Sequence, residues 1–104
     1  GVFAIGDINE IMMANGRGLP KTGVFASAEG ETVGTNIAAN INGKQPIKFS
    51  GFGQCFIAFN GETSAKVTGD FMAENGPDVK LTGATTRGMR SKEHFERNWR
   101  RFRL

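Results

Sequence analysis

The chain has 104 residues, a formal net charge of +3, 38% hydrophobic and 22% charged residues, 15 glycines, no tyrosine and one cysteine. That length gives one small core burying ~65% of the unfolded surface, and the ordinary composition excludes wholesale disorder and fibrous repeats. The lone Cys55 excludes an internal disulfide, and the sequence has neither an apolar run long enough for a membrane span nor a signal-peptide pattern.

Position 1 is not Met and leads at once into the apolar run Val2 to Ile5, ended by Gly6-Asp7. Such a run suits a strand buried on both faces of a parallel sheet, and its start reads as interrupted, so a piece of a longer chain is expected. A loop from Ile8 to about Lys21 follows, with turn signals at Asn15-Gly16 and Arg17-Gly18 and a stop at Pro20.

A helix is predicted from Gly23 to Ile41, with Thr22 as N-cap and Asn42-Gly43 as stop signal. Val33, Ile37 and Ile41 form an i, i+4 core stripe. Ala26, Gly30, Gly34 and Ala38 form a second stripe, where glycine costs roughly 1 kcal/mol per residue relative to alanine. Close approach by a helix, a backbone or a ligand would explain that stripe.

Beyond Ile47 the hydrophobic period shifts toward two. Asn60-Gly61 is the best hairpin signal, with Cys55 to Phe59 and Thr63 to Thr68 as its strands. Gly69 to Gly76 reads equally as strand or loop, and Val79-Lys80-Leu81 as one more short strand. Ser91 can cap a last helix to about Arg103, with Phe95, Trp99 and Phe102 on one face and a strongly cationic opposite face. Five lysines and arginines lie between Lys92 and Arg103, so the positive charge belongs to a tail.

Gly6 would let a ligand approach the backbone at a sheet's carboxyl edge, and Asp7 could accept hydroxyl hydrogen bonds there. Alone, a strand ending in Gly-Asp is often just a turn. Val2-Phe3-Ala4-Ile5-Gly6-Asp7 resembles the second FAD motif of the pyridine nucleotide-disulfide oxidoreductases. Leu19-Pro20-Lys21-Thr22-Gly23-Val24-Phe25-Ala26 and Asn36-Ile37-Ala38-Ala39-Asn40-Ile41 then follow in an order similar to the sulfide:quinone oxidoreductase and flavocytochrome c sulfide dehydrogenase branch, with type II NADH dehydrogenases as the neighbouring alternative.

The resemblance implies an FAD site in which Gly6 and Asp7 hold the ribityl chain. Lys21, Thr22, Gly23 and Val24 would bring a helix start to the flavin ring, where its positive end favours negative charge. The G-x-G-x-x-G fingerprint for the adenosine half is not in the 104 residues, so the fragment alone is expected to be inactive and without FAD. Cys55 stands where the sulfide-oxidising branch carries a redox cysteine, while the plainer reading makes it a small core group. No metal site is expected.

The fold expected is α+β: residues 1–45 as a remnant of an FAD-binding α/β domain, with one strand and one helix, then residues 46–104 as an interface domain of antiparallel hairpin and amphipathic terminal helix. The function expected is electron transfer from sulfide or another reduced donor through FAD to a quinone-like acceptor. Expected partners are the remainder of its own chain and that acceptor, with self-association of the fragment and no nucleic acid. The setting implied is of bacterial type, cytoplasmic or peripheral to a membrane. Phe95, Trp99 and Phe102 are the membrane-facing candidates, against the plain alternative that they pack on the body. A non-enzymatic module binding a membrane surface or nucleic acid through Arg97 to Arg103 is the alternative of a different class.

Overall fold

The computed structural model describes residues 1–103, and of Arg100, Phe102 and Arg103 the backbone alone. The expected membrane contact at Phe102 therefore lies outside the described side chains. The fold is mixed α+β. A 3-10 turn at Gly6–Ile8 is followed by helix α1 (Gly23–Ile41), strands β1 (Phe52–Phe59), β2 (Thr63–Asp70) and β3 (Asp78–Leu81), and helix α2 (Thr86–Arg103). The strands form a small sheet in the order β1-β2-β3.

The chain divides into two compact units. One comprises Gly1–Gly53 with Gly69–Asp78, and the other Gln54–Thr68 with Val79–Leu104. This differs from a single cut after residue 45, because the segment after β2 belongs with α1. Phe71 is buried there, its ring edge-on to Phe25 at 5.0 Å between centroids, and its N–H donates to the Gly51 carbonyl at 3.0 Å.

In the first unit, α1 spans the residues that its end signals predict. Thr22 is extended and its Oγ1 accepts from the Phe25 N–H. At the other end the Gly43 N–H donates to the Asn40 carbonyl and the Lys44 N–H to that of Ala39. With Gly43 at φ +65°, this is a Schellman close, which needs a residue that tolerates the left-handed region. Asn36 then grips the returning chain at both backbone groups of Ile47, at 3.0 and 2.7 Å. Phe25, 1% exposed, is the centre of this core, edge-on to both Phe49 and Phe71.

Two expectations for this unit are corrected. Val2 to Ile5 is not a strand: Ile5 has extended dihedrals, but Val2, Phe3 and Ile5 are exposed and no ladder receives them. A lone strand has no partner for its backbone groups, so extended propensity alone leaves it without a sheet. Ile37 and Ile41 are not core either, Ile41 being 78% exposed. Of the small-residue stripe, Gly30 faces the Ile5 side chain at ordinary contact distance and Gly34 faces open space.

In the second unit, β1 and β2 are joined at Asn60-Gly61. Both residues have positive φ, and the Glu62 N–H donates to the Phe59 carbonyl, the pattern of a type I′ turn. Ser64, fully buried, exchanges both backbone hydrogen bonds with Thr85. That pairing sets the start of α2, because Thr85 Oγ1 accepts from the Gly88 N–H at 2.9 Å and caps the helix. The helix thus begins at Thr86, six residues before the start expected with Ser91 as its cap. Phe95 lies 5.7 Å from Phe56 and 5.5 Å from Trp99, ring centre to ring centre, and all three are half-buried.

Candidate functional site

The chemistry-bearing residues that converge are those of the first unit. Residues 11–19 form a tight antiparallel loop: Leu19 N–H donates to the Ile11 carbonyl, Met13 N–H to that of Arg17, and Met12 bridges Gly18. Met13 and Leu19 anchor the loop by burial. It returns Pro20 and Lys21 to the Gly6–Ile8 turn, so two motifs separated by a dozen residues line one cleft together with Asn9, Thr22, Phe25, Ala26 and Glu29.

Lys21 has a definite position. Its Nζ donates to the backbone carbonyl of Asp7 at 3.1 Å and to that of Asn9, so its charge sits on the turn. Gly6 has φ +72°, a conformation easy for glycine alone, and Asp7 is exposed beside it. At the other lip, Thr22 caps the Phe25 N–H, while the first amides of α1, at Gly23 and Val24, point out of the helix end as any first turn requires.

Sequence reasoning missed Glu29 and Asn9. Glu29 is 7% exposed, and its Oε2 accepts from the Gly6 N–H at 2.6 Å and from Asn9 Nδ2 at 2.8 Å. Asn9 Nδ2 also reaches the Ala4 carbonyl at 3.2 Å. A signal was present: Phe25, Glu29, Val33, Ile37 and Ile41 form one i, i+4 row, and a lone carboxylate in an apolar row needs an internal partner.

The cleft itself is about 10 Å³, the space of one water molecule. Small-molecule sites run to ~300 Å³ and more. A planar ring system cannot enter it, and only a ligand lying across its mouth could touch Asp7 and the start of α1.

Cys55, on β1 in the other unit, is half-buried, and burial pushes its thiol pKa up. That direction is opposite to what a thiolate nucleophile needs. His94, Arg97, Asn98 and Arg101 share one face of α2, with Asn98 Nδ2 2.8 Å from His94 Nε2. Among the described residues there is no cluster of His, Cys, Asp and Glu able to hold a metal ion, and no helix is long and apolar enough to cross a membrane. Comparison with known proteins finds no matching family model, no matching curated protein and no matching solved structure.

Proposed function

We propose that this chain supplies one side of the flavin site of an FAD-dependent oxidoreductase of the pyridine nucleotide-disulfide class, one that passes electrons from sulfide or another reduced donor to a quinone-like acceptor. The carrying observation is that Gly6-Asp7 and Pro20 to Thr22 line one cleft, with Lys21 hydrogen-bonded to the Asp7 backbone. The two motifs on which the resemblance rests are spatial neighbours, which an accidental likeness would not require.

The residues present fit part of such a cofactor. Asp7, exposed at the rim, would accept hydrogen bonds from ribityl hydroxyls, and Gly6, without a side chain, would let the chain pass close to the backbone. The outward amides of Gly23 and Val24, at the positive end of α1, would stabilise negative charge gathered near the ring. Lys21 would add to that field from its place on the turn. When bound, the flavin supplies the two-electron chemistry. The adenosine half would be held by sequence outside these residues, so the 104 residues alone are expected to be inactive. Cys55, whose thiol pKa is pushed up by burial, has no assigned step.

The test is flavin content in the full-length protein. A yellow wild-type protein that loses its flavin on Asp7→Ala supports the assignment. Full occupancy in that variant removes Asp7 from the site, and a colourless wild-type protein ends the flavin reading.

A further inference from the structure

Glu29 is a buried carboxylate whose hydrogen bonds bear directly on the candidate site. It stands on the second turn of α1, and one oxygen receives both the Gly6 amide and the Asn9 side chain. Those two donors bracket the turn that carries Asp7. From the opposite side Lys21 Nζ closes on the carbonyls of Asp7 and Asn9. The backbone of residues 6–9 is thus held by a carboxylate on its N–H side and an ammonium on its carbonyl side. Asp7 itself makes no part of this hold with its side chain and stays at the rim.

A carboxylate suits the first position. Ionised, it only accepts, so both donors can converge on it without a competing donor, and charge-assisted bonds are shorter and stronger than neutral ones. Burying it would be unfavourable without those partners.

We propose that Glu29 is the positioning residue of the flavin site: it fixes the Gly6–Asn9 turn through the Gly6 amide, and so sets where the Asp7 carboxylate meets the cofactor. The proposal rests on the flavin reading above and adds a residue to it that does not itself touch the cofactor.

The test uses the full-length protein, stripped of flavin and titrated with FAD, as wild type, Glu29→Ala and Glu29→Gln. Amide hydrogen exchange of residues 6–13 is measured in parallel on the flavin-free proteins. Loss of a buried acceptor should weaken FAD binding by about tenfold or more in Glu29→Ala and speed exchange in that segment by a similar factor. Glu29→Gln keeps a carbonyl oxygen for the Gly6 N–H and should stay within roughly threefold of wild type in both measurements.

Faster exchange in Glu29→Ala with unchanged FAD affinity would overturn the proposal, leaving Glu29 a purely structural anchor. Unchanged exchange would overturn it as well. A Glu29→Gln protein as defective as Glu29→Ala would overturn it in favour of a direct charge effect. If the wild-type protein binds no FAD, the flavin reading falls and this proposal with it, a result distinct from any loss confined to a variant.

Discussion

Gly53 on β1 sets two opposing effects against each other in one substitution. Glycine in a strand is destabilising relative to alanine by roughly 0.5–1 kcal/mol, so propensity alone predicts that Gly53→Ala stabilises. A methyl group there, however, would stand 2.6 Å from Phe25 Cε1, 3.1 Å from Cζ and 3.3 Å from Cδ1. Ordinary carbon contacts lie near ~3.5–4.0 Å, so the nearest atom must retreat by about 1 Å. The Phe25 ring has little room to do so, being 1% exposed and edge-on to Phe49 and Phe71. Overpacking of this kind costs about 1–3 kcal/mol, which outweighs the propensity gain and leaves a net loss of ~1–2 kcal/mol. With a urea slope of ~1–3 kcal/mol/M for a small protein, the midpoint should fall by about half to one molar. Urea unfolding followed by far-UV circular dichroism reads this directly. Phe25→Leu removes ring atoms from the path of the new methyl, so in that background Gly53→Ala should cost little, with a coupling of about 1 kcal/mol in the double-mutant cycle. A midpoint for Gly53→Ala equal to or above wild type, or full additivity with Phe25→Leu, would refute the packing argument.

Gly34→Ala is the contrasting case: a Cβ at that position meets nothing, and the gain in helix propensity should raise stability by about 1 kcal/mol in the same urea measurement. Thr85→Ala removes the acceptor of the Gly88 N–H and should lower stability by ~1 kcal/mol, with faster amide exchange confined to the first turn of α2. At Gly88, by contrast, any added Cβ would collide with the buried Ser64 carbonyl, so Gly88→Ala should destabilise despite the helical preference of alanine. For Cys55, burial raises the folded pKa, so its iodoacetamide reaction should have its pH inflection above the ~8.5 of a free thiol. The sign follows for stability: the contribution is full below the unfolded pKa and is lost as pH rises through the folded one. An inflection at or below the free-thiol value would contradict the assigned burial.

Features whose cause lies within a few residues were legible in the sequence. Thr22 before a good helical run and Asn42-Gly43 after it delimit α1, because the cap hydrogen bonds and the left-handed Gly43 are local. Asn60-Gly61 marks the hairpin for the same reason, as two positive φ values select those residue types. Only the tertiary structure decided the rest. The run Val2 to Ile5 has strand composition, yet a strand exists only where a partner supplies hydrogen bonds, and none does here. The start of α2 depends on Thr85, which is held by pairing with Ser64 some twenty residues away, so Ser91, a suitable cap by residue type, lies inside the helix instead. Phe71 joins the unit of α1 through a contact with Phe25 that no spacing rule announces. The candidate site divides in the same way. Gly6, Asp7 and the Lys21 to Val24 helix start could be picked out as motifs, but the meeting of Gly6 and Asp7 with Lys21 and Thr22 in one cleft needed the loop at residues 11–19 to fold back. The position of Lys21 on the Asp7 carbonyl and the burial of Glu29 against the Gly6 amide are long-range facts. A sequence states which groups need partners, and the fold decides which partners they receive.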